Sequence, residues 1–171
     1  MSSTFNKNIK KIYKEAKMVS NHIVRTINNS ESKDWKPLED IFYLKVPKLN
    51  IEIYAVGIDY GSEPYVDIES NVYIPLLNKS KSIEKFLSSF KKFNREYPTV
   101  MLHESVHIIQ GDKEEYEYPE EEIPCDIVNS SYHETQAIMV ELIDMNMTPN
   151  DLYDEQFITD FVDCVNKKYN N

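Results

Sequence analysis

Two histidines four residues apart in an otherwise largely apolar run, Val100-Met101-Leu102-His103-Glu104-Ser105-Val106-His107-Ile108-Ile109-Gln110-Gly111, constrain this chain more than any other feature. The run predicts a helix over about 98–111. Pro98 is tolerated in a first turn, and Gly111 is a natural C-terminal stop. Four-residue spacing on a helix puts both imidazoles on one face, about one turn apart. Leu102, Val106 and Ile109 form an apolar row, so the neighbouring row His103–His107–Gln110 is also expected to turn inward.

The remaining elements must build a core around that helix. At 171 residues the chain fits one domain, 1–171, large enough to bury a core. A long N-terminal helix is predicted over 5–28, where Ile9, Ile12, Tyr13, Ala16, Val19, Ile23 and Ile27 recur at three- and four-residue spacing. Pro37 is expected in the loop that follows. A sheet region over 40–75 comes next, with strands near 40–46, 50–58 and 65–75 that are rich in Ile, Val and Tyr. A helical region over 82–168 completes the chain. It contains a helix from Ser82 to about Asn94, the histidine helix, a surface loop over 112–129, a helix over about 131–145 and a last helix over about 151–168. The fold class is therefore α+β: a small mixed or antiparallel sheet packed on the histidine helix, with additional N- and C-terminal helices.

Charge and composition exclude several classes of partner. Nineteen basic residues stand against 29 acidic ones, a net charge of −10 that argues against nucleic acid and anionic membranes. Much of the acid is concentrated in 112–122, a solvated connection or a screen over a cleft. No stretch approaches the roughly 20 apolar residues of a membrane span, and the N-terminus has no apolar signal core. The two cysteines, Cys125 and Cys164, lack metal-type spacing and read as free thiols rather than a disulfide, consistent with a cytoplasmic protein.

Two neutral imidazoles on one helix face suit Zn2+, which would lower the pKa of a bound water to about 7. Glu104, beside the first histidine, is placed to take a proton from that water and pass it to a leaving amine. A catalytic zinc needs a third protein ligand. A third histidine in the extended motif is excluded, because positions 110 and 113 are Gln and Lys. The helix at 131–145 offers Glu134 at the head of a nearly all-apolar segment, where a carboxylate is costly unless a cation meets it. Glu134 is the expected ligand, with His133 as the competitor. Glu141 lies about 20° around the helix from Glu134, and reads as a solvated face residue or as a carboxylate behind a ligand.

The pattern His103-Glu104-x-x-His107 with a downstream Glu134 resembles the gluzincin division of the zincin metallopeptidases. Within it, Glu134, Ala137, Leu142-Ile143 and Pro149 look most similar to the compact ImmA/IrrE-type peptidases, and the form with Gln110 also occurs in other small bacterial gluzincins. The resemblance covers roughly residues 65–149. Ser105, Val106 and Glu141 depart from the family's usual small residues. What the resemblance implies is a zincin-like fold and a metallopeptidase acting on a protein or peptide, with zinc on His103, His107 and Glu134 and with Glu104 as base. It also implies that the segment 65–75 is the edge strand above the active-site helix, pairing with an extended peptide by strand addition. Tyr116, Tyr118, Tyr132 and His133 are candidates for stabilising the oxyanion. The other class of function for the same sequence is a zincin-fold binding or regulatory module with little turnover.

Overall fold

A long helix, a five-stranded sheet and three further helices make up the described part of the chain, α1(Thr4–Asn29), β1(Lys36–Leu38), β2(Ile41–Val46), β3(Ile51–Ala55), β4(Tyr65–Val66), β5(Val72–Ile74), α2(Ile83–Glu96), α3(Val100–Asp112) and α4(Tyr132–Asp144). The structure, a computed structural model, describes residues 4–112 and 132–145. The expected acidic loop, the last helix at 151–168, both cysteines, Tyr116, Tyr118 and Pro149 lie outside the described residues.

The helices form where the apolar spacing predicts them. On α1, Ile12, Ala16, Ile23 and Ile27 are fully buried. The helix closes at Ser30, whose hydroxyl donates to the Ile27 carbonyl (2.6 Å) and accepts the indole N–H of Trp35 (2.9 Å). The Trp35 ring then meets Phe86 of α2 edge-on at 5.2 Å, tying the end of α1 to the core. Ser82 caps α2 by accepting the Lys85 N–H.

The sheet runs β1-β2-β3-β5-β4, with β3 and β5 parallel and the other pairs antiparallel. Two expectations are corrected here. Pro37 sits in the short strand β1 and not in a loop. As an edge strand, β1 tolerates a residue without an N–H. The segment 65–75 is a hairpin and not one strand. The Asp67 carboxylate accepts the N–H groups of Glu69 and Asn71, both at 2.9 Å, and Ser70 turns at φ 67°. That side-chain turn overrides the alternating pattern. Ile68, inward by alternation, is fully exposed at its tip.

One face of the sheet is dry. Leu44, Val46, Ile51, Ile53, Ala55, Val72 and Ile74 pack against Ile23 and Ile27 of α1, Phe86 and Phe90 of α2, and Met101 and Ile108 of α3. A second cluster joins Ile12 and Ala16 of α1, Leu102, Val106 and Ile109 of α3, and Ala137 and Val140 of α4. Helix α3 is thus gripped on two sides, and its polar row His103–His107–Gln110 is left for α4 and a cleft.

Gly111 does not end α3, as its residue type suggests; the helix continues through Asp112. A Cβ at this position would stand 3.1 Å from the Ser70 hydroxyl, so glycine lets α3 pass close to the β4–β5 turn. None of the described helices is long and apolar enough to cross a membrane.

Candidate metal centre

Helices α3 and α4 bring His103, His107 and Glu134 together. One ligand atom from each lies within 4.8 Å of the others. His103 Nε2 is 3.1 Å from Glu134 Oε2, and His107 Nε2 is 2.6 Å from Glu134 Oε1. Burial of Leu102 and Val106 against α1 and α4 sets the rotation of α3 that allows this. Glu134 occupies the first turn of α4, where the helix dipole favours a carboxylate.

The far side of each ring is also held. His103 Nδ1 is 2.8 Å from Glu141 Oε1, one face of α4 supplying both carboxylates. His107 Nδ1 is 2.9 Å from Gln110 Oε1, and Gln110 Nε2 donates to Gln136 Oε1 at 2.8 Å. Carboxylate and amide oxygens only accept, so each Nδ1 carries a proton. A neutral ring then presents its Nε2 lone pair, and that lone pair faces a Glu134 oxygen. Two acceptors stand at such a distance only with a proton or a cation between them. Protons on the rings or on Glu134 meet that need in the metal-free protein, and one cation would meet both nitrogens and the carboxylate at once. The donor set of two imidazoles and one carboxylate, with the rings oriented by groups behind them, fits zinc and leaves a coordination position open.

Electrostatics follow from the same contacts. Burial lowers the His103 pKa, but the bonds to Glu134 and Glu141 outweigh it and raise it to about 10. His107 is raised too, burial again being overcome by Glu134. The histidine contacts hold Glu134 far below the usual carboxylate range, against its desolvation. Glu104, on the same turn as His103, is raised to about 7, chiefly by burial; His103 and His107 oppose that rise while Glu134 and Glu141 add to it.

These shifts give a pH signature for chelator-treated protein. The stabilisation from His103 is full below its ordinary 6.5 and is lost as pH rises through about 10. That from Glu134 is full above its ordinary 4.5 and is lost as pH falls. The cluster therefore stabilises the metal-free fold most near pH 5–6, by roughly the overlap of the two windows. Thermal melts should decline towards pH 10, less steeply in His103→Gln and in zinc-loaded protein.

A cleft opens in front of the cluster in two lobes that share Glu63, Pro64, His103 and Glu104. One lobe, about 680 Å³, runs along β4 and is lined by Tyr65, Val66 and Asp67 opposite His107 and Glu134. The other, about 650 Å³, lies between Phe93, Tyr97 and Val100 on one side and Ile138 and Glu141 on the other. A smaller, more apolar groove of about 440 Å³ between α1 and α3, lined by Met18, Val19 and Ile109, contains none of these groups.

All four residues singled out from the sequence, His103, Glu104, His107 and Glu134, thus border one cleft. The side chains of Tyr132 and His133 lie outside the described residues. Glu141 is not the solvated face residue that its spacing suggests: it is 19% exposed and bonded to His103. The fully buried Gln136 escapes sequence reasoning; its only trace is a polar residue at the start of an apolar run. Glu141→Leu should weaken zinc binding about 10- to 100-fold, as removal of a group behind a ligand does. Glu141→Gln, whose amide oxygen still accepts from Nδ1–H, should lose less. Competition with a chromophoric chelator measures both.

Compared with known proteins, the chain matches no family model, no curated protein and no solved structure.

Proposed function

We propose that this chain is a zinc-dependent metallopeptidase of gluzincin type, a compact ImmA/IrrE-like zincin that hydrolyses peptide bonds in a cytoplasmic protein or peptide. The observation that carries the reading is the convergence of His103, His107 and Glu134 beside a half-buried Glu104, in a cleft bordered by the edge strand β4.

Zinc, when bound, supplies a Lewis acid and lowers the pKa of water to about 7. The chain's own residues supply the rest. His103 and His107 would present Nε2 to the ion, because Glu141 and Gln110 hold the opposite nitrogens, and Glu134 would offset its charge. Glu104, desolvated to a pKa of about 7, is poised to accept a proton at its carboxylate and return it to a leaving amine. Among the described residues the two-residue strand β4 is the last of the sheet, and an extended peptide added beside it would run along the cleft past the cluster. A binding module would have no use for a carboxylate kept desolvated in this position, so turnover is the better reading.

The test is metal content and cleavage on one preparation. About one zinc per chain, the number a single three-ligand site holds, and cleavage of a peptide library that disappears with chelator and in Glu104→Gln support the reading. Zinc without cleavage makes the protein a binding module. Protein that neither carries zinc nor accepts it overturns the proposal.

A further inference from the structure

The outer face of the sheet carries a row of four tyrosines. Tyr43, Tyr54, Tyr73 and Tyr65 are register partners across β2, β3, β5 and β4. Their rings follow the sheet: Tyr65 and Tyr73 stack at 4.7 Å and 4°, Tyr73 and Tyr54 at 4.7 Å and 14°, and Tyr54 and Tyr43 lie tilted at 6.1 Å. Neighbouring strands are about 4.7–4.9 Å apart, so a stack at 4.7 Å repeats with the strands themselves.

Among the described residues the sheet ends at β4, and the stack ends with Tyr65. One face of its ring is covered by Tyr73; the residue is 36% exposed and lines the lobe of the cleft beside His107 and Glu134. A strand added along β4 would place every second side chain on this sheet face, and the one in register with Tyr65 one strand spacing beyond its ring. The chemistry around that position is acidic. Glu63 and Asp67 line the same lobe, and no lysine or arginine is among the described residues lining either lobe. Asp67 lies close enough to the stack to act on its last two rings: after burial itself, its charge is the next cause raising Tyr65 and raising Tyr73 to about 12.

We propose that Tyr65 is a specificity-determining residue, and that a substrate strand paired with β4 stacks an arginine side chain on the ring face turned away from Tyr73, beside Asp67 and Glu63. This rests on the strand-addition part of the proposed function and names the substrate class: an extended basic peptide. Arginine suits the position because its guanidinium is flat enough to continue the stack and carries the charge the acids attract. Lysine has the charge without the plane, phenylalanine the plane without the charge, and leucine neither.

Four fluorescein-labelled octapeptides of alternating threonine and valine, differing only in one central residue (Arg, Lys, Phe or Leu), test this by anisotropy. The alternating background lets the strand slide in two-residue steps until the varied side chain meets Tyr65. Binding is read on zinc-loaded Glu104→Gln protein and on chelator-treated wild type, with zinc content measured on the same samples. The arginine peptide should bind about five- to tenfold tighter than the leucine peptide, as a cation–π contact supplies, with lysine and phenylalanine between. Tyr65→Leu should reduce that advantage to less than about twofold, while Tyr65→Phe, which keeps the ring, retains it. Equal binding of the four peptides, no binding of any, or a preference unchanged in Tyr65→Leu overturns the inference. A Tyr65-dependent preference in protein that takes up no zinc leaves this inference standing while the metal reading falls. Full zinc without the preference does the reverse.

Discussion

His107→Ala protein should retain less than about one hundredth of the wild-type affinity for zinc, because loss of a ligand exceeds the 10- to 100-fold typical for a group behind one. The substitution removes the nitrogen nearest Glu134, which stands 2.6 Å from it. It also leaves Gln110 Oε1 without the ring N–H that it accepts at 2.9 Å. His103→Ala acts in the same direction and strips Glu141 of its partner at 2.8 Å. Glu134→Ala should weaken binding strongly as well. His133→Ala is the informative control: it should keep full zinc, since Glu134, the adjacent residue, supplies the carboxylate that meets both rings. The reverse pattern, zinc kept in Glu134→Ala and lost in His133→Ala, would reassign the third ligand. Inductively coupled plasma mass spectrometry on dialysed protein gives stoichiometry, and chelator competition gives affinity. Melting each variant in chelator separates ligand loss from unfolding, because it measures directly how much of the cluster's stabilisation of the metal-free fold each alanine removes.

How far the sequence carries depends on whether a feature is local. The histidine pair was legible because a helix converts four-residue spacing into a shared face, whatever surrounds it. Glu134 was legible through cost: a carboxylate opening an apolar helix needs a positive partner. Gln110 was placed on the inward row by the same helical arithmetic. That Glu141 stands behind His103 was one of two readings the sequence left open, since the choice depends on how far α4 is rotated against α3, which Ala137 and Val140 set by packing on Ile12 and Ala16. Gln136 was missed for the same reason. In the sheet, alternation through 65–75 read as one strand because side-chain periodicity carries no trace of an Asp carboxylate turning the chain at Asp67. The tyrosine row needed strand register and order, including the parallel pairing of β3 with β5 that no hairpin signal announces. Gly111 looks like a helix stop because its real constraint, the approach of Ser70, comes from a distant part of the chain that local pattern does not register.

Glu104→Gln should keep its zinc and lose turnover by about 10²- to 10⁴-fold, the range attributed to a positioned acid–base group. Glu104 is not among the three groups that converge on the candidate ion, so the amide leaves that set untouched. Glutamine matches the volume and polarity of the side chain but cannot take a proton at the position the carboxylate holds. The same substitution should make the metal-free protein at least as stable as wild type at pH 8. Burial raises Glu104 from 4.5 to about 7, so the folded state disfavours its ionised form. An acid whose folded pKa lies above its unfolded value destabilises the fold progressively as pH rises between the two, and fully above the higher one. A neutral amide removes that penalty. Melting temperature in chelator should therefore fall less for Glu104→Gln than for wild type between pH 5 and pH 8, about the span of the shift. A variant that loses activity while matching or exceeding wild-type stability has lost a proton acceptor and not a fold. If instead Glu104→Gln retains cleavage, or melts well below wild type at pH 8, Glu104 is a structural carboxylate and the base must be sought elsewhere in the cleft. Strain held at a working carboxylate and relieved by inactivating it is the trade expected of an active site, and a binding module would have no reason to hold it.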